Sequence, residues 1–172
     1  MNYITDQVKA LIGAETSFSE APHPVESSEV RRFHQATMDD APRYWDADWA
    51  AKSRYGGLVA PAAFPALAFR RAVNTPDPME TVSQPDSDGV SRAFRGLPTV
   101  EVPLPRLLNG GYEYEFFRYA KPGERIARKS RYKNIYQRDG KSGPMVFVVM
   151  EEFFKTTADD PLLVVRATSI LR

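Results

Sequence analysis

The first part of the chain carries apolar residues at helical spacing. Residues 4–12 have such a pattern and are followed by Gly13, which predicts a short amphipathic helix with a C-terminal stop. A second helix is predicted over residues 30–37, with Ser27 or Ser28 as its N-cap.

The middle of the chain combines apolar segments with a long polar one. Residues 46–52 predict one or two helical turns that bury Trp45 or Trp49. Residues 62–73, rich in Ala, Phe and Leu, predict a helix that is buried on most sides. Residues 74–98 are rich in Pro, Asp and Ser, and we interpret them as a long loop or an insertion.

From residue 109 onward the pattern is that of β-strands. A first strand is predicted over residues 112–119, and longer ones over residues 124–137, 145–154 and 162–171. An Asp-Gly pair at position 139 is typical of a tight hairpin. Because short turns join the three long strands, these must be antiparallel neighbours. Helices followed by strands indicate the α+β class, with a curved antiparallel sheet wrapped around a central buried helix.

Composition narrows the function classes. The 172 residues favour one domain over residues 1–172, and the lack of cysteine excludes thiol nucleophiles and cysteine metal sites. A net charge of +1 does not indicate a nucleic-acid partner. The first 14 residues do not resemble a signal peptide, and no apolar run is long enough for a membrane span. We therefore expect a cytoplasmic protein without a metal, a cofactor or a membrane partner.

One basic run stands out over residues 125–133, where five of nine positions are Lys or Arg. One interpretation is the solvated face of a strand. The other is a binding site for an anionic ligand such as a CoA phosphate, which would use Arg128, Lys129 and Arg131.

Residues 38–44 (Met-Asp-Asp-Ala-Pro-Arg-Tyr) and 56–61 (Gly-Gly-Leu-Val-Ala-Pro) carry a family resemblance. The chain resembles the MaoC-like hydratases, in particular their N-terminal-type hot-dog domains related to the dehydratase region of fungal fatty-acid synthase. Their signature is Gly-Asp-x-Asn-Pro-x-His. Asp39 and Pro42 match it, whereas Tyr44 stands at the position of the catalytic His. Further similarities lie at residues 108–114, 121–124 and 143–147.

The resemblance implies a hot-dog fold in which an Asp and a His share acid–base work on one water, while a backbone N–H stabilises the oxyanion. This chain offers Asp39 but no matching His, and a tyrosine with a pKa of about 10 is a poor base near neutrality. Asp39 then serves either catalysis or only a turn. We expect His34 to be an ordinary surface or half-buried residue, and Tyr44 to belong to the core or a dimer interface.

The resemblance further implies a degenerate subunit of a heteromeric enoyl-CoA hydratase or acyl dehydratase, whose partner hot-dog subunit carries the intact Asp/His pair. The substrate would be an acyl-CoA thioester, and the resemblance allows a bulky or steroid-type acyl group. The substrate-binding residues outside the basic run would be Gly57, Val59, Ala60, Pro61 and Phe64.

Three alternatives remain. One is a self-sufficient homodimeric hydratase that uses Asp39. A second is a hot-dog thioesterase, which is disfavoured because residues 62–69 contain no carboxylate. The third is a non-enzymatic acyl-CoA-binding or scaffolding protein.

Overall fold

The computed structural model describes residues 2–69, 74–75, 95–141 and 143–172. Within these residues a five-stranded antiparallel sheet has the order β1-β3-β4-β5-β2, and short helices precede most of it in the chain. The helices are α1 (Asp6–Ala10), α2 (Ser27–Ala36) and α3 (Ala47–Lys52), with 3₁₀ turns at Pro42–Tyr44 and Phe64–Leu67. The strands are β1 (Ser19–Glu20), β2 (Leu107–Phe116), β3 (Ile126–Gly140), β4 (Gly143–Thr156) and β5 (Pro161–Leu171).

The three long strands β3, β4 and β5 are antiparallel neighbours, as their short connections predict. Strand β2 does not lie beside β3, which follows it in the chain. It pairs with β5 at the opposite edge of the sheet, where Tyr114 faces Val165. Residues 117–125 therefore lead from β2 at one edge of the sheet, past β5 and β4, to β3. The predicted strand over residues 112–119 is displaced, because β2 ends at Phe116.

One face of the sheet, which we call the inner face, packs on the hydrophobic core. Because side chains alternate along a strand, Val148 and Phe154 point to this face of β4, and both are buried in the core. One core cluster gathers Phe154 with Val59 and Phe64, and a second gathers Val148 with Val8 of α1. The inner face thus holds the 56–64 segment in place, while residues such as Glu151 point to the outer face.

The predicted N-terminal helices form, but two details are wrong. The residue that precedes α2 is Glu26, which makes no side-chain capping bond, so neither Ser27 nor Ser28 is the N-cap. Neither Trp45, which precedes α3, nor Trp49, which lies within it, is buried in this chain, since they are 51% and 44% exposed. The apolar pattern indicated that a helix forms, but it did not identify Ala50 as the side chain of α3 that is buried.

The predicted helix over residues 62–73 is only partly described. Its described part contains one 3₁₀ turn at Phe64–Leu67 rather than an α-helix, with Pro65 in the first turn and Leu67 exposed. Residues 70–73 lie outside the described residues, as does nearly all of the 74–98 segment that we interpreted as a loop or an insertion. None of the helices in the described ranges is long and apolar enough to cross a membrane.

Candidate functional site

The turn that follows α2 contains Asp39. The helix ends at Ala36 with Thr37 as its C-cap, and Met38 adopts a left-handed backbone conformation with φ 55°, which reverses the chain. The Asp39 carboxylate then accepts a hydrogen bond from the backbone N–H of Ala41 at 3.2 Å and lies 3.8 Å from the Arg43 guanidinium. The structure thus shows Asp39 forming the local turn that its sequence position also suggests.

Tyr44 is a buried core residue, in agreement with one of the two expectations for it. Its ring stacks on His34 at 5.8 Å between centroids, and its hydroxyl accepts a hydrogen bond from the Arg43 Nη2 at 2.8 Å. Burial raises the pKa of Tyr44 above its usual value, although the Arg43 hydrogen bond acts in the opposite direction. The side chain at the position of the family histidine is therefore a neutral phenol that cannot act as a base near neutrality.

His34 is buried, which contradicts the expectation of an ordinary surface or half-buried residue. Its Nδ1 donates a hydrogen bond to the main-chain carbonyl of Asp39 at 3.1 Å, and its Nε2 is buried without a hydrogen-bond partner among the described residues. Val30 lies four positions earlier on the same face of α2 and is buried as well. That spacing was the sequence signal that could have placed His34 on the buried face.

The 56–61 loop is held by main-chain hydrogen bonds. The N–H groups of Val59 and Ala60 donate to the carbonyls of Arg43 at 3.0 Å and of Ala120 at 2.8 Å. Gly57 has φ 149°, and its N–H bonds to Ala50 at 3.0 Å. The loop therefore connects the Asp39 turn to the segment after β2. Of the predicted substrate-binding residues here, Val59 lines a cavity, whereas Ala60, Pro61 and Phe64 are buried in or beside the core.

That cavity has a volume of about 700 Å³. Its wall combines aromatic and cationic side chains that come from separate segments, and besides Val59 and Ala62 it is lined by Arg54, Tyr55, Phe116, Phe117, Arg118, Tyr119 and Lys121. The Arg43 guanidinium lies 4.6 Å from the ring centroid of Tyr44 and 5.7 Å from that of Tyr119. It thereby connects the Asp39 turn with the cavity wall. The sequence analysis identified none of these aromatic and cationic residues.

The basic run on β3 is not part of this cavity. Arg128 lies 3.6 Å from Glu152 and stacks on Phe69, while Lys129 bonds to Glu15 at 3.1 Å. The Nε of Arg131 donates to Glu151 at 2.8 Å. Each of the three cations is therefore paired with a carboxylate, although Glu151 is shared with Lys133 and Arg166. A CoA site on these three residues remains an untested prediction.

Glu151 and Glu152 are adjacent on β4 and point to opposite faces of the sheet. Burial alone would raise the pKa of Glu151, but hydrogen bonds from Arg166, Arg131 and Lys133 outweigh it and hold the pKa below the usual range. Burial raises the pKa of Glu152 on the inner face, against the opposing effect of Arg95 and Arg128. Neither carboxylate lines the cavity beside Val59, and no cluster of His, Asp and Glu among the described residues could hold a metal ion.

The long antiparallel sheet packed on a buried segment is the hot-dog fold. The family model for the FAS1-like dehydratase domain region matches residues 10–164, so the chain belongs to that family. This confirms the resemblance to MaoC-like dehydratases and hydratases. Among curated proteins, none matches the sequence.

Solved structures are similar in fold. The ChsH1–ChsH2 complex from Mycobacterium tuberculosis superposes with a TM-score of 0.69 and 16% identity, over 96% of this chain and 86% of that one. A MaoC-like dehydratase from Rhodospirillum rubrum gives 0.60 and 18%, over 93% and 91%. The HadBC (3R-hydroxyacyl-ACP dehydratase) complex from Mycobacterium tuberculosis gives 0.61 and 15%, over 93% and 96%.

Proposed function

We propose that this chain is the degenerate hot-dog subunit of a heteromeric enoyl-CoA hydratase or acyl dehydratase. A second hot-dog subunit supplies the Asp/His pair, and this subunit shapes the pocket for an α,β-unsaturated acyl-CoA. Membership of a dehydratase family supports a lyase-type role.

The observation that carries the proposal is the environment of Tyr44. Hydration of an enoyl thioester needs a group that exchanges protons with water near neutral pH. Tyr44 occupies the position of that group, but it is buried, hydrogen-bonded to Arg43 and stacked on His34. The neighbouring Asp39 carboxylate is hydrogen-bonded within its own turn. The pair that the family uses for proton transfer is therefore absent from its usual place.

The unpaired edge of β2 supports the proposal of a partner subunit. Strand β2 pairs with β5 on one side and with no described strand on the other. Its inner face carries a row of half-exposed rings, with centroids 6.2 Å apart between Tyr112 and Tyr114 and 5.9 Å apart between Tyr114 and Phe116. An unpaired edge strand with exposed aromatic residues is a ready site for another strand. A second hot dog there would continue the sheet, and two of the similar structures are complexes of two named components.

The test is co-purification of the chain with the product of the neighbouring gene, followed by hydratase assays. Hydration of crotonyl-CoA and of a bulkier enoyl-CoA is measured for each chain alone and for the mixture. We expect turnover of at least one substrate by the mixture and none by this chain alone. Full activity of this chain alone would overturn the proposal.

A second candidate is a self-sufficient homodimer, and one observation favours it. The structure brings His34 to the Asp39 turn, with its Nδ1 bonded to the Asp39 carbonyl at 3.1 Å. This candidate predicts that the purified chain hydrates crotonyl-CoA and that Asp39→Ala abolishes the activity. Binding of acyl-CoA without turnover, even beside a partner chain, would instead indicate a non-enzymatic binding protein.

A further inference from the structure

The cavity beside Val59 is lined by cationic side chains. Among the described residues that line it, three are cationic, namely Arg54, Arg118 and Lys121, and none is Asp or Glu. Arg118 is already neutralised by Glu124 at 2.8 Å and Asp160 at 3.0 Å. In the described part of the chain, neither Arg54 nor Lys121 has an ion-pair partner, and both are exposed. These two positive charges are therefore available to an anionic ligand.

The structure also fixes the position of one of these cations. The Arg54 Nη2 donates to the Tyr55 hydroxyl at 3.0 Å, and the guanidinium lies 5.0 Å from the Tyr55 ring centroid. Tyr55 in turn packs edge-on against Tyr119, with centroids 5.3 Å apart. A side chain held in this way loses less conformational entropy when it binds a ligand than a free surface arginine does.

The same cavity has an exposed aromatic wall. Phe116 is 53% and Phe117 is 51% exposed, although aromatic side chains of this size are usually buried. Flat apolar rings beside free cations match a ligand that has both an aromatic base and phosphate groups. Stacking on an aromatic side chain and charge-assisted hydrogen bonds to phosphate are the two interactions that recognise such a ligand.

We propose that this cavity binds the 3′-phospho-ADP part of coenzyme A, with Arg54 and Lys121 contacting its phosphates and Phe117 stacking on its adenine. The inference rests on the proposed function, because it assumes that the substrate is a CoA thioester. It places the nucleotide away from Arg128, Lys129 and Arg131, whose charges are paired with carboxylates. Val59 and Ala62 line the same cavity, so the pantetheine arm would extend along the loop over residues 56–61.

Binding of CoA and of 3′,5′-ADP is measured by calorimetry, with the purified chain and with the complex where co-purification yields one. The variants Arg54→Gln and Lys121→Gln remove one charge each from the exposed rim, so folding should be unaffected, and the melting temperature checks this. We expect about tenfold weaker binding for each variant, since a charge-assisted hydrogen bond contributes roughly one to two powers of ten. Phe117→Ala should weaken the binding of 3′,5′-ADP about as strongly.

Lys129→Gln and Arg131→Gln are the matched controls, because they remove the same kind of charge from β3. Binding within twofold of wild type in these two, with a loss in the Arg54 and Lys121 variants, supports the proposal. The reverse pattern overturns it and places the phosphates on β3. Absence of 3′,5′-ADP binding to the wild-type chain and its complex also overturns it. Hydratase turnover is measured separately. A wrong nucleotide site can therefore be distinguished from a wrong proposed function, because turnover by the mixture tests only the latter.

Discussion

Glu151 provides the sharpest test of how the sheet is held together. Its side chain is only 2% exposed, yet it bonds to three cations from two neighbouring strands. The distances from its oxygens are 2.8 Å to the Arg131 Nε, 3.3 Å to the Lys133 Nζ and 2.5 Å to the Arg166 Nε. Arg166 also reaches Glu115 on β2 at 3.0 Å, so one buried carboxylate connects charges on four strands.

The change Glu151→Gln removes this charge with almost no change in volume. Loss of one partner from a buried ion pair costs about 3–5 kcal/mol, because it leaves an uncompensated charge. Here the three cations remain 41%, 44% and 24% exposed, and water can solvate them in part. We therefore expect the variant to lose about 2–3 kcal/mol of unfolding free energy, at or just below the lower limit of that range.

The assay is urea unfolding followed by far-UV circular dichroism at pH 7, repeated at lower pH. The pKa of Glu151 is lowered in the folded state, so its contribution is complete above the unfolded pKa of about 4.3 and is lost as pH falls through the folded value. The difference between wild type and Glu151→Gln should therefore shrink in acid.

Glu15→Gln is the matched control, because it removes a carboxylate from the pair with Lys129, whose two side chains are 47% and 26% exposed. A loss below about 1 kcal/mol is expected there. If Glu151→Gln cost no more than this control, or if its cost did not depend on pH, the reasoning from burial would be refuted.

Three further predictions concern the inner face, the β2 edge and the core. The raised pKa of Glu152 means that wild-type stability falls as pH rises from the unfolded value through the folded one, so Glu152→Gln should remove this fall in urea unfolding between pH 4 and 8. Gly110→Ala would put a Cβ 2.8 Å from the Cγ2 and 3.0 Å from the carbonyl of Thr168, and should cost about 1–3 kcal/mol in the same assay. Phe64→Ala removes a buried ring packed edge-on against Phe33 at 6.0 Å, with an expected loss of about 3–5 kcal/mol; a loss below about 1 kcal/mol would contradict its placement in the core.

The α+β class and the β3-β4-β5 meander could be predicted because both depend on local signals. Alternating apolar residues give strands, and turns too short for a crossover leave only antiparallel pairing. The place of β2 could not be predicted in this way. Its partner is β5, about fifty residues further along the chain, and the pairing of distant strands is set by tertiary packing rather than by neighbouring residues.

In the candidate site, too, residues that are contiguous in the sequence could be identified, whereas residues that only the fold brings together could not. Asp39 and Tyr44 were found because their motif is contiguous in the sequence. The cavity wall was missed because Arg54, Phe117 and Lys121 come from segments that meet only when the Ala60 N–H bonds to the Ala120 carbonyl at 2.8 Å. Conversely, the basic run on β3 stood out in the sequence, but its carboxylate partners lie on other segments and only the fold brings them near.

At the position of the family histidine, Tyr44 makes its own contacts with Arg43 and His34. This leads to a prediction for the variant Tyr44→His. Restoring that residue type should not give hydratase activity to the isolated chain. The new imidazole would face Arg43, which now bonds to the Tyr44 hydroxyl at 2.8 Å, and a cation there opposes protonation of the ring. The Asp39 carboxylate would still accept from the Ala41 N–H at 3.2 Å. The measurement is crotonyl-CoA turnover by the purified variant, beside Tyr44→Phe as the control for side-chain loss. Turnover by Tyr44→His that disappears in the double variant with Asp39→Ala would show instead that the catalytic frame survives intact around a single replaced residue.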